Sequence, residues 1–251
     1  MGGSNSFALL LCVNGVLSGY MKMSIKRCIF GSLFVILLFG FFVTITPVEA
    51  GMNHKLKSII RDNFNKYTNG SIVGQGGWFN RANGLPYVIQ SLVKKEGRKA
   101  LYNNNIGADS VITKTSGTAL VNGKQSFYIR TENRSNWGTY NIGENVQLGL
   151  FQGSWDGSSR AVLTFRKDGH VAYIDPNIDT WVNFDTYTDN SWTLVDVEWR
   201  SIDNTVRYRA NNGAWTGWVP FVGSSFFTGF DTVGFVTFYL GTGGVYIDAL
   251  E

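Results

Sequence analysis

The chain has 251 residues, 44% of them hydrophobic and 15% aromatic, with a formal net charge of +4 and two cysteines. That apolar content is too high for a disordered chain, and the modest charge, with no basic helix beside it, argues against a nucleic-acid binder. Cys12 and Cys28 both lie near the N-terminus, so whatever folds after them has no disulfide and must rely on its core.

Lys26 and Arg27 precede CIFGSLFVILLFGFFVTIT, the 19 uncharged residues from Cys28 to Thr46, and Pro47-Val48-Glu49-Ala50 follows. A basic start, an apolar middle and a small-x-small end form the layout of a secretory signal, expected to be cleaved after Ala50. The alternative is a retained membrane anchor, because a spanning helix needs about 20 apolar residues and the flanking cations would hold its leading side inside. Both readings place the rest of the chain outside the cytoplasm. Residues 1–50 are therefore read as signal peptide or anchor, with residues 1–20, ahead of Met21 and Met23, expected not to be translated. The missing disulfide points to a bacterial source.

Residues 51–63 read as a linker of one or two helical turns, with Leu56, Ile59 and Ile60 at helical spacing. Residues 51–99 hold nine Lys/Arg against Asp62 and Glu96, whereas residues 100–251 hold ten against fifteen acids. The nine cations are scattered over loops, which reads as solvated surface. A short helix is expected around residues 87–101.

From residue 126 the texture changes to short strands: SFYIRT (126–131), VQLGLF (146–151), AVLTFRK (161–167), HVAYID (170–175), WVNF (181–184), TLVDVEWR (193–200), TVRYRA (205–210), VGFVTFYL (233–240) and VYIDAL (245–250). Turn residues part them at fairly even intervals, the pattern of an all-β sandwich or barrel. Asp168-Gly169 between two of them is a hairpin signal. The stretch around Phe235 is apolar at successive positions, so it must be covered on both faces and lie centrally.

Asp196 and Glu198 sit two apart on one strand and thus share a face, which is the arrangement a glycoside hydrolase would use. If Ser201–Asn204 is a four-residue turn, Arg200 lies opposite Thr205, Glu198 opposite Arg207 and Asp196 opposite Arg209. Cross-strand cations hold carboxylates ionised, so the pair reads as an exposed ion-pair ladder and not as an acid catalyst. Trp192, Trp199 and Trp215 read as core.

FNKYTNGSIVGQGGW (64–78), VDVEWRSIDNTVRYRANNGAWTGW (195–218) and the closing VYIDAL (245–250) resemble secreted domains of the concanavalin A-like lectin/glucanase superfamily, of the laminin-G kind. The resemblance covers residues 64–251 and implies a jelly-roll sandwich of two antiparallel sheets. The superfamily includes sugar-binding lectins, glycosidases and domains without a known ligand, so the fold does not fix the function. Its laminarinase-like hydrolases carry E-x-D-x-x-E on one strand. Asp196-Val197-Glu198 has the opposite order and no third acid, which speaks against that mechanism.

Trp137-Gly138-Thr139-Tyr140 and Ser154-Trp155-Asp156-Gly157 place aromatics in loops rich in small polar residues. Sugar rings stack on such aromatics while a nearby acid accepts hydroxyl hydrogen bonds, so Trp137, Tyr140, Trp155 and Asp156 are the candidate ligand-binding residues. Asp175, Asn177 and Asp179 have the alternate oxygen spacing of a calcium loop, although Thr180 stands where the calcium loop's glycine belongs. An Asx-rich turn is the alternative. The expected function is an exported, non-catalytic domain binding a glycan or cell-surface polymer. The second expectation is a membrane-tethered structural or protein-interaction domain, using residues 28–46 if uncleaved.

Overall fold

The computed structural model describes residues 56–81, 87–104, 109–138, 145–155, 159–223 and 226–251. Residues 1–50, expected to be a signal or anchor, lie outside them. In chain order the strands are β1 (Gly70–Ser71), β2 (Trp78–Asn80), β3 (Val88–Gln90), β4 (Ala100–Asn103), β5 (Ser110–Leu120), β6 (Gly123–Thr131), β7 (Val146–Phe151) and β8 (Ser159–Phe165). They continue with β9 (His170–Asp175), β10 (Thr180–Thr186), β11 (Trp192–Arg200), β12 (Thr205–Ala210), β13 (Val219–Pro220), β14 (Val222–Gly223), β15 (Phe230–Thr237) and β16 (Val245–Asp248).

These strands form two antiparallel sheets. The first runs β1-β3-β4-β16-β6-β11-β12-β13, and the second β10-β9-β8-β7-β15-β5-β2 with β14 beside β8. Alternation builds the layer between them: Phe127 and Ile129 of β6 and Val195, Val197 and Trp199 of β11 meet Leu148 and Leu150 of β7 and Val233 and Phe235 of β15 in one apolar cluster. Trp78 stacks on Phe235 at 5.8 Å between ring centroids, and Phe127 meets Phe235 edge-on at 5.7 Å. The expected central strand is β15, flanked by β7 and β5.

The expected helix at 87–101 is absent. Gln90 Oε1 accepts hydrogen bonds from the amides of Leu92 and Val93 at 2.7 and 2.9 Å, and Asp248 Oδ2 accepts from those of Lys95 and Glu96 at 2.8 and 3.0 Å. Side chains satisfy the amides that helical bonding would have used. The described part of the expected helical linker forms no helix, and it contributes Ile59 and Ile60 to the core. Ile60 exchanges two hydrogen bonds with the Gln125 amide, at 3.0 and 2.9 Å, and Asp62 pairs with Leu250 in both directions.

Asp62 is the most heavily used side chain of that segment. Its carboxylate accepts from Tyr67 Oη, from Trp78 Nε1 at 3.2 Å, from the Phe64 amide at 3.0 Å and from Lys114 Nζ at 2.8 Å. It is 5% exposed. Burial alone would push the carboxyl up, but the Lys114, Tyr67 and Phe64 donors outweigh it and hold it below the ordinary value.

The β11–β12 register is the one the charge pattern predicts: Asp196 faces Arg209, Glu198 faces Arg207 and Arg200 faces Thr205. Arg207 binds Glu198 at 2.9 Å and Arg209 binds Asp196 at 2.6 Å. The ladder is not exposed as expected, since Asp196 is 1% exposed. Lys124 Nζ at 2.8 Å and Ser126 Oγ at 2.6 Å complete its shell from β6. Burial raises the Asp196 carboxyl, while Lys124, Ser126 and Arg209 more than offset this and leave it lowered.

Trp199 is core, but Trp192 and Trp215 are only half-buried. The segment after β12 turns back along it, with the Thr216 amide bonded to Tyr208 O at 2.8 Å and Thr216 Oγ1 accepting from the Tyr208 amide at 2.9 Å. This lays Trp215 and Trp218 between arginines. Arg200 lies 4.0 Å from the Trp218 centroid, Arg207 4.5 and 4.6 Å from Trp218 and Trp215, and Arg209 4.5 Å from Trp215. Each indole thus sits between two cations.

Removing the Asp62 carboxylate strands the Lys114 ammonium in the interior. Asp62→Ala is expected to lose about 3–5 kcal/mol of stability, read as a lower urea midpoint. Asp62 and Asp196 both have folded-state values below 3.8, so their contribution is present above that value and is lost as the pH falls through and below it. Asp196→Asn is expected to flatten the decline in unfolding free energy between about pH 5 and pH 2.

Candidate functional site

The outward face of the second sheet is laid out by the same alternation. β15 turns Thr232, Gly234 and Val236 away from the main core, β7 turns Gln147, Gly149 and Phe151, β8 turns Arg160, Val162 and Thr164, and β5 turns Val111, Thr113 and Thr115. Gly149 and Gly234 are direct cross-strand partners, which leaves a hollow in the middle of the face. Aromatic rings fill it. A Cβ on Gly234 would stand 2.7 Å from Trp155 Cε3, and one on Gly149 would strike the Phe151 ring. Phe151 and Trp155 are 4.6 Å apart between centroids, and Trp155 also packs on Val111, Val236 and Phe238.

The loop that carries Trp155 is tied to β15. The Gly153 amide donates to Asp231 Oδ1 at 2.8 Å, Thr232 Oγ1 donates to Gly153 O at 2.6 Å, and Gly153 takes a φ of 83° that glycine tolerates. The half-buried indole thus rests over Gly234 with part of the residue open to solvent. Gln147, half-buried, and Arg160, exposed, flank it on the same face. An apolar floor with a few placed polar groups is what a ligand site requires.

Of the two expected ligand-binding residues among the described ones, Trp155 takes such a position. Trp137 is a correction. It follows a 3-10 turn at Arg134–Asn136 and is 1% exposed within the main core, so it offers no face to a sugar. Tyr140 and Asp156 lie outside the described residues. Sequence reading did not single out Phe151, Gly234 and Arg160. The pairing of Gly149 with Gly234, two glycines inside strands, is the signal that something packs closely there.

Asp175, Asn177 and Asp179 form the β9–β10 hairpin. Asp175 Oδ1 accepts from the Asn177 amide at 2.9 Å, the Asp175 carbonyl accepts from the Ile178 amide at 3.3 Å, and Asp179 has a φ of 46°. This is an Asx turn with one carboxylate oxygen spent on its own backbone. Among the described residues no group of three His, Cys, Asp or Glu is arranged to hold a metal.

Two antiparallel sheets with their apolar faces together, with almost no helix among the described residues, define an all-β sandwich of the jelly-roll kind. No protein-family profile matches the chain, and no curated protein does. Among solved structures, it is similar to a sialidase at a TM-score of 0.55 and 14% identity, over 78% of this chain and 19% of the sialidase. It is also similar to a carbohydrate esterase of Shiga toxin-encoding bacteriophage phi24B, at a TM-score of 0.54 and 16% identity over 78% of this chain and 97% of that one. The carbohydrate recognition domain of Emp46p in its metal-free form matches at a TM-score of 0.46 and 12% identity, over 77% and 97%. At these identities the likeness is one of fold.

The glycine under Trp155 gives the site a direct structural handle. Gly234→Ala is expected to lift the indole off the sheet and cost about 1–3 kcal/mol. The change would be seen as a red-shifted tryptophan emission and a lowered Tm.

Proposed function

We propose that this is an exported domain that binds a carbohydrate or a related surface polymer without cleaving it, on the outward face of its second sheet. The observation that carries the reading is Trp155, held over Gly234 and against Phe151 with part of its ring open. An aromatic already packed against its neighbours loses little freedom when a sugar ring settles on it. The acids that might have cut a glycosidic bond are elsewhere: Asp196 and Glu198 project from the other sheet, locked to Lys124, Arg207 and Arg209. A carboxyl lowered by three donors cannot serve as the protonated acid of a hydrolase.

Trp155→Ala is expected to weaken glycan binding about ten-fold or more; the variant loses some stability with the packed indole, and a cooperative urea transition checks that it is still folded. A glycan array probed with wild type and variant reads the effect. Equal binding by both proteins would overturn the site, and silence of the wild type across the array would overturn the function.

A further inference from the structure

The strand arginines of this protein are not alike. Arg130 of β6 binds Asn190, and Arg200, Arg207 and Arg209 of β11 and β12 bind Asp203, Glu198 and Asp196. Each has an oxygen partner. Arg160 of β8 is exposed, and its guanidinium makes no ion pair or hydrogen bond among the described residues. Its cross-strand neighbours are Phe151 on β7 and Val222 on β14, neither of which can pair with it. Directly opposed side chains start about 5 Å apart, so Arg160 rises beside the Phe151–Trp155 platform.

The outward positions of β5, β7, β8 and β15 named above include no acid. Asp231, which precedes Thr232, has its Oδ1 engaged by the Gly153 amide at 2.8 Å and Thr232 Oγ1 at 3.0 Å. A cation with its N–H fork unused, next to an aromatic floor, is matched to a planar or branched anion.

We infer that the Trp155 site takes an acidic glycan, with the ring on the aromatic platform and a carboxylate or sulfate substituent on Arg160. This rests on the proposed carbohydrate-binding reading and names the ligand class. Both anions offer the paired oxygens that a guanidinium grips in two-point fashion.

The test uses the full chain against immobilised polygalacturonate for carboxylate, dextran sulfate for sulfate and unmodified dextran as the neutral polymer. Wild type is expected to bind at least one acidic polymer more tightly than dextran, and Arg160→Gln to lose about ten-fold on it. Arg61→Gln, which removes the same charge from an exposed residue away from the site, controls for general attraction and should lose much less. Which acidic polymer responds tells carboxylate from sulfate. Equal losses in the two arginine variants, or dextran bound as tightly as the acidic polymers, would overturn the inference while binding abolished by Trp155→Ala kept the carbohydrate reading alive. No binding to any polymer or array glycan would overturn both.

Discussion

Asp62 joins distant parts of the chain in one place. Its carboxylate gathers donors from Tyr67, from Trp78 on β2 and from Lys114 on β5, while its backbone pairs with Leu250 just beyond β16. β2 and β5 belong to one sheet and β16 to the other. A domain with no disulfide to hold its layers together thus has a buried ionic knot where they meet. Such a pair is costly to desolvate, and its value lies in geometry: a misplaced β2 or C-terminal strand would leave an ammonium or a carboxylate alone in the core.

The later strands were legible because local and cross-strand signals agree there. β7, β9 and β12 occur over the residues that alternation and turn punctuation mark, and the β11–β12 register follows from opposing charges. The earlier strands were not, for a physical reason. β1, β2 and β3 have two or three residues each, too few for a period to show. Their place is set by long-range contacts, such as Asp248 with the 95–96 backbone and Gln125 with Ile60. Gln90, by contrast, works locally, capping two amides that the expected helix would have used.

The site was half legible. Composition marks Trp137 and Trp155 equally, since both lie in loops among small polar residues. Tertiary packing separates them: one indole is drawn into the core behind a 3-10 turn, and the other lies on the sheet because two glycines meet beneath it and its neighbour. That meeting depends on which strands adjoin, which a single sequence does not display. The hairpin Asp175–Asp179 shows the converse, a spacing fit for a cation that the backbone uses to close its own turn.

The Arg–Trp stack on the first sheet has a consequence for the two broad surfaces of the sandwich. Trp215 and Trp218 each have guanidinium groups against them, and those same groups grip the strand carboxylates. On this stretch of the first sheet the indoles and the strand carboxylates share the same guanidinium groups. Large apolar patches left open invite association. On the second sheet Trp155 packs instead on Phe151, Val111, Val236 and Phe238, so the two walls of the sandwich dispose of their tryptophans by different means.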